Sequence, residues 1–329
     1  MISASVSTIG RLRSGEGLAH GLLFAFAIGL TAALAGCAGE SSAPRAGASP
    51  PFVAAHRGDP NLPENTLAAF RSSLGEGADY LETDLVATKD GVLVLRHERR
   101  LAATTDVEDH PEFAGRRTTK ESYGHLVSDW WVEDFTLAEL ARLHATVRRA
   151  ASSGDYRIPT LEELIEFARS QLRVLGRPVG LYLETKEAAT FERLGLDLED
   201  LLVQALRAAR LDAPGRILVQ SWGTQSVRQL RAALRVPAIE LVSAARHWDR
   251  ALTSAGLRGL RNAGVGGIDV IDDRLESDPG LIQRAHDAGL IVTGWGFEPD
   301  EDYARWAKSG LDGIITDDVP AALAARNAP

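Results

Sequence analysis

A single cysteine, Cys37, stands in a chain of 329 residues. No disulfide can close within the chain, and no cysteine-built zinc cluster is possible. Positive charge is also scarce. The formal net charge is −9 and the sequence pI about 5.5, with no basic patch. A nucleic-acid partner is therefore excluded, and a polyanionic substrate is disfavoured. A single phosphodiester held by a metal and an arginine fits that balance. No strand-like run leads into Gly-x-Gly-x-x-Gly, and no Gly-x-x-x-x-Gly-Lys occurs, so nucleotide-binding folds lose support. No internal repeat is evident. What is present is an ordinary globular composition, 45% hydrophobic and 25% charged, with ample length for a buried core.

The setting of Cys37 is informative. Arg11 and Arg13 supply positive charge, Leu18 to Gly36 is largely apolar and small, and the segment closes on Leu34-Ala35-Gly36-Cys37. This order resembles a bacterial lipoprotein signal, in which the cysteine becomes the lipidated N-terminus. An uncleaved anchor is the alternative, but the apolar run is marginal against the roughly 20 residues a span needs. The expected organisation is a signal peptide over 1–37, a flexible tether over 38–51 and a folded domain over 52–329. Both readings place that domain outside the cytoplasmic membrane, at the periplasmic or extracellular face of a bacterial envelope. Its core must then suffice without disulfides.

Over the folded part, short apolar runs alternate with helix-like segments. Strands are predicted at Phe52–His56, Tyr80–Val86, Val92–His97, Gly180–Thr185, Arg216–Gln220, Ala238–Val242, Gly267–Ile271, Leu290–Gly294 and Gly313–Thr316. Helices are predicted between them, among them Glu64–Leu74, Thr160–Leu172 and Glu199–Arg210. Strand–helix alternation repeated about eight times predicts an α/β fold, a parallel (β/α)₈ barrel. Residues 98–157 break the rhythm. They carry Trp130 and Trp131 and read as an insertion on the barrel rim, either shaping substrate access or lying clear of it.

Glu82 and Asp84 are two apart on a strand and so share one face, where they repel unless a cation or a proton lies between them. Glu184 ends another strand, with Lys186 as its same-face neighbour. Three carboxylates make a hard oxygen site suited to Mg²⁺ or Ca²⁺ more than to zinc. His56 and His97 both fall at strand ends and can divide acid and base work near neutral pH. Arg57 offers a planar fork to phosphate oxygens, and Lys186 can add a point charge. Gly58 permits close backbone approach or an ordinary turn. Pro63 to Thr66 also reads as a helix start. Trp295 either walls the pocket or packs in the core. His110, His125, His144, His247 and His286 receive no role.

Taken in order, these residues resemble the glycerophosphodiester phosphodiesterase family. The resemblance rests on His56-Arg57-Gly58, Pro63-Glu-Asn-Thr66, Glu82-x-Asp84, His97, Leu183-Glu184-Thr-Lys186 and Trp295. Asp134 to Glu139 and the long insertion are similar to its secreted, periplasmic-type members, and Asp312 to Asp317 to its closing strand. The resemblance implies a metal-dependent (β/α)₈ barrel that hydrolyses glycerophosphodiesters to sn-glycerol 3-phosphate and an alcohol. It also implies that Glu82, Asp84 and Glu184 hold one divalent ion, Ca²⁺ or Mg²⁺, and that His56 and His97 are the catalytic acid and base. Arg57, Lys186 and Trp295 would then contact substrate. The nucleophile is either water or the substrate's own glycerol hydroxyl. Glu98 stands where the family commonly has aspartate, and Gly296 where it often has threonine; both bear on alcohol specificity. Beyond the small-molecule substrate and a membrane reached through the lipidated N-terminus, no protein partner is implied. Two rival functions follow from other features. A phospholipase acting on intact or lyso-phospholipids would need an exposed apolar rim around Trp130 and Trp131. A non-catalytic solute-binding lipoprotein would need neither the histidine pair nor the carboxylates.

Overall fold

In a computed structural model, residues 49–147, 154, 156–243, 245–297 and 303–328 are described. The expected signal peptide, Cys37 and most of the tether lie outside the described residues. Among those described, no helix is long and apolar enough to cross a membrane.

Among the described residues eleven strands form, β1 Phe52–His56, β2 Tyr80–Ala87, β3 Leu93–Leu95, β4 Thr118–Ser122, β5 His125–Asp129, β6 Gly180–Thr185, β7 Ile217–Ser221, β8 Ala238–Val242, β9 Gly267–Ile271, β10 Ile291–Trp295 and β11 Gly313–Thr316. Eight of them, in the order β1-β2-β6-β7-β8-β9-β10-β11, pair in parallel, and β11 returns to β1 to close the barrel. The helices are α1 Leu67–Glu76, α2 Leu137–Leu140, α3 Leu161–Leu175, α4 Ala188–Arg193, α5 Leu198–Ala208, α6 Thr224–Ala233, α7 Ser254–Asn262, α8 Asp272–Ser277, α9 Leu281–Asp287, α10 Tyr303–Ala307 and α11 Val319–Asn327. The (β/α)₈ barrel expected from the alternation is the architecture found.

Side-chain parity along each strand sorts the residues. Val53, Ala55, Leu81, Leu181 and Val219 point outward into the apolar layer beneath the helices. Their neighbours point inward. Ala54, Tyr182, Leu218, Ile239 and Ile315 fill the barrel interior as a separate buried cluster. Below them large and small residues interlock. A side chain at Gly180 would meet the Tyr80 ring, and one at Gly313 the Phe52 ring. Above them the inward positions turn polar, at His56, Glu82, Asp84, Glu184, Gln220 and Asp269. This is the C-terminal mouth, where barrel enzymes place their chemistry.

Two expectations are corrected. Val92–His97 is not a barrel strand. Strand β2 runs past the rim, and only Leu93–Leu95 pairs with it, antiparallel, through Leu85↔Leu95 to Ala87↔Leu93. His97 lies two residues beyond that short strand. The Arg96 amide donates to the Asp84 carbonyl at 3.0 Å, which brings the segment back over the mouth. The first helix also starts later than predicted, at Leu67 rather than Glu64. Thr66 caps it by accepting from the Ala69 amide, while Asn65 sits in the left-handed region at φ 59°.

The insertion is a packed lobe. Its hairpin β4–β5 turns through Tyr123 and Gly124, both at positive φ, which is the backbone a tight hairpin demands. Trp130 and Trp131 are 6% and 0% exposed, and their indole nitrogens donate to the carbonyls of Phe113 and Thr118. They pack inside the lobe, so these two side chains form no exposed rim; the exposed apolar side chains of the hairpin are Tyr123 and Leu126. Arg99 lies over the rings of Trp131 and Phe191 at 5.0 and 5.7 Å and pairs with Glu133 and Glu187. Ser122 donates to Glu187 at 2.9 Å. These contacts fix the hairpin beside the end of β6.

Gly58 is required by its surroundings. It has φ +93°, and a Cβ there would lie 2.6 Å from the Ala69 Cβ and 2.8 Å from the Ala69 carbonyl carbon. Gly58→Ala is therefore expected to destabilise the domain by about 1–3 kcal/mol, read as a lowered midpoint in urea unfolding. An unchanged midpoint would show that α1 moves away freely.

Candidate active site

The β2–β6 register sets Asp84 beside Glu184, and the β6–β7 register sets Glu184 beside Gln220. His56 stands beside Glu82 across β1–β2. Glu82, Asp84 and Glu184 each bring a carboxylate oxygen within 4.8 Å of the others, and all three are buried. Two cations are locked against them. Lys186 Nζ lies 2.9 Å from Asp84 and 2.5 Å from Glu184, and Arg57 Nε lies 3.1 Å from Asp84. The Gln220 amide donates to Glu82 at 3.1 Å and to Glu184 at 3.2 Å.

The three carboxyl groups differ. Burial, with Asp84 and Glu184 adding their repulsion, pushes Glu82 well above the usual carboxylate range. Burial also raises Glu184, against the opposing pull of Lys186. Asp84 goes the other way: burial alone would raise it, but Lys186 and Arg57 hold it far below. Two cations for three buried carboxylates leave the cluster one positive charge short, and that shortfall adds to the upward push on Glu82. A divalent ion would correct that imbalance. Asp84 Oδ1 and Glu184 Oε1 are buried, and Lys186 Nζ is the cation that contacts both. The donor set consists entirely of hard oxygens, and it fits Ca²⁺ or Mg²⁺.

His56 and His97 both line the cavity above this cluster, together with Arg57, Glu82, Glu184, Lys186 and Trp295. The cavity measures about 130 Å³. His56 Nδ1 is 2.8 Å from Asp317 Oδ1 at the end of β11, an orienting contact. Burial lowers His97 to about 2, against the pull of Asp84, so its ring is neutral. Every cavity residue singled out in the sequence is therefore brought together, and Asp84 sits directly behind them, 1% exposed. The other described histidines do not line this cavity. Trp295 is a wall residue and packs edge-on to Trp222 at 6.1 Å.

Residues 56–321 match the glycerophosphoryl diester phosphodiesterase family. The chain belongs to that family. A glycerophosphodiester phosphodiesterase of Arabidopsis thaliana is 30% identical over 318 residues, covering 82% of this chain and 84% of its own. One from Caldanaerobacter subterraneus is 27% identical over 271 residues, covering 81% and 94%. Among solved structures, an Oleispira antarctica phosphodiesterase in complex with the product sn-glycerol-3-phosphate superposes with a TM-score of 0.65 at 23% identity, over 85% of this chain and 98% of that one. This last likeness concerns the fold.

Three residues in contact with the candidate site residues received no role in the sequence reading. Gln220 lies on a barrel strand and carries no local motif, and Asp317 ends the Asp312-to-Asp317 stretch, which reads only as a closing strand. Asn65 had a signal, the Pro63-to-Thr66 motif, whose helix-start role hid a second one. Its amide donates to Asp84 Oδ2 at 2.9 Å, and its carbonyl accepts from the Thr83 hydroxyl at 2.6 Å. It fixes the rotamer of the most buried carboxylate. Asn65→Ala is expected to weaken divalent-ion binding about 10–100-fold, as loss of a ligand's supporting bond does elsewhere. Titration calorimetry with Ca²⁺ and Mg²⁺ checks this; equal affinity in variant and wild type would contradict it.

Proposed function

We propose that this phosphodiesterase hydrolyses glycerophosphodiesters to sn-glycerol 3-phosphate and an alcohol, with a divalent metal and the histidine pair His56 and His97. One observation carries the reading: three buried carboxylates, two fixed cations and two histidines converge on a single cavity at the barrel mouth. The relatives' names carry the same substrate class.

Glu82, Asp84 and Glu184 would hold the ion. Bound there, Ca²⁺ or Mg²⁺ supplies Lewis-acid stabilisation of charge growing on the phosphate oxygens. Arg57 is already oriented by Asp84 and by Glu64 at 3.5 Å, so its guanidinium meets the non-bridging oxygens with little loss of freedom. Lys186 adds a charge from the opposite side. Asp317 holds one ring nitrogen of His56 and leaves the other for proton transfer. One histidine takes the nucleophile's proton, and the other gives a proton to the leaving alkoxide.

His56→Ala and His97→Ala are each expected to lower kcat about 10²–10⁴-fold, with unchanged circular dichroism. Activity on glycerophosphocholine is expected to vanish in EDTA and return with Ca²⁺ or Mg²⁺. Full turnover in chelator, or in both histidine variants, would defeat the reading. We also propose that Cys37 carries lipid and tethers the enzyme to the envelope. Cys37→Ser is expected to shift the protein from the detergent phase to the aqueous phase on Triton X-114 partition; retention in the detergent phase would count against lipidation.

A further inference from the structure

Strand β9 lies four strands round the barrel from β2, directly across its diameter. There Asp269 faces the cavity, 1% exposed. It forms no ion pair among the described residues. Its one hydrogen-bond partner among them is the Thr293 hydroxyl, which donates to Oδ1 at 2.6 Å. That hydroxyl has a single hydrogen, so Tyr182, 3.1 Å away, donates to it in turn. A buried chain, Tyr182 to Thr293 to Asp269, thus fixes a carboxyl in the cavity wall. Burial pushes Asp269 up to about 7. Two buried polar atoms of this cavity lack a partner, Gln220 Oε1 and Trp295 Nε1.

Buried polar atoms without partners are costly, and such groups kept in a cavity wall point to a ligand that satisfies them. The unpartnered amide oxygen and indole N–H, with the Asp269 carboxyl whose single side-chain partner is Thr293, make up the set. None of the three is a cation; Arg57 and Lys186, elsewhere in the same cavity, are the groups suited to the phosphate. The set matches neighbouring hydroxyl groups, each of which gives and accepts hydrogen bonds. A larger cavity of about 640 Å³ shares His56, Trp295 and Ile315 with this one. It leaves room for a variable alcohol group on the other side of the phosphate.

We propose that Asp269, fixed by Thr293 and Tyr182, binds the free hydroxyls of the substrate's glycerol moiety, with Gln220 and Trp295 completing the subsite. This rests on the proposed function. It assigns the small polar cavity to the constant half of the diester and the large one to the variable half.

The test uses metal-loaded enzyme hydrolysing glycerophosphocholine, with sn-glycerol 3-phosphate, n-propyl phosphate and inorganic phosphate as competitive inhibitors. Propyl phosphate has the same chain length but no hydroxyls. Wild type is expected to prefer glycerol 3-phosphate to propyl phosphate by about tenfold or more, because a site built for hydroxyls rejects the analogue lacking them. Asp269→Leu is expected to reduce that preference to within about threefold, while the constants for propyl and inorganic phosphate stay within about threefold of wild type. Asp269→Asn, which keeps the shape and some hydrogen bonding, is expected to fall between. It also decides the matter should the leucine variant fail to fold, since an Asn variant with full wild-type preference would then overturn the assignment. A wild type without preference overturns it, as does a leucine variant that keeps the preference or loses all three inhibitors equally. Absence of wild-type hydrolysis would bring down the proposed function and this subsite together; an active enzyme whose inhibitor ratio ignores Asp269 brings down the subsite alone.

Discussion

Charge balance at the mouth of the barrel governs the rest of the structure. Three buried carboxylates on β2 and β6 face one another, and only Lys186 and Arg57 offset them. Like charges at such distances in a low-dielectric interior are strongly unfavourable without compensation. The surroundings are arranged to provide it. Gln220 donates to two of the carboxylates, Asn65 to the third, and the Arg57 amide to Glu82. The residual deficit, seen as the raised Glu82, is one that a divalent ion held by the three carboxylates would offset.

Holding this cluster requires unusual backbone close to it. Arg57, Asn65 and Glu187 all have positive φ, a conformation that costs most side chains energy and persists only where the surroundings over-determine it. Each has an identifiable cause. Arg57 turns so that its guanidinium comes back to Asp84. Asn65 turns so that its amide reaches the same residue. Glu187 follows Lys186 and anchors the insertion through Arg99 and Ser122. The strained positions therefore surround the carboxylates on three sides and link the site to its covering lobe.

The lobe and the barrel interior divide the remaining work. Trp130 and Trp131 stabilise the lobe from within, and its hairpin stands at the rim beside β6. The interior layer of Ala54, Tyr182, Leu218, Ile239 and Ile315 seals the barrel below the cavity. On that floor the Tyr182–Thr293 pair supports Asp269. One wall of the mouth is thus built for negative oxygen and the facing wall for neutral hydroxyls, an asymmetry that matches the two chemically different parts of a glycerophosphodiester.

Much of this was legible in the residues. The period-2 strands separated by helices specify a barrel, and carboxylates two apart on a strand must share a face, so the grouping of Glu82 with Asp84 followed from local geometry alone. Local pattern also explains the errors. Val92 to His97 has the composition of a strand, but whether such a run joins the barrel or folds back antiparallel depends on where β2 leaves the rim, a matter of registry between distant segments. The tryptophan pair reads as an apolar surface until the lobe folds over it. Gln220 and Asp269 carry no signal that separates them from ordinary strand residues, while Asn65 and Asp317 lie in stretches whose helix-start and closing-strand readings hid their contacts. The sequence by itself determined the architecture and the chemical types gathered at the strand ends, because periodicity and residue chemistry act over a few positions. The tertiary structure decided which side chains hold the carboxylates in place and which face them across the cavity, because those partners lie up to 261 positions apart, as in His56 and Asp317, and meet only when the barrel closes.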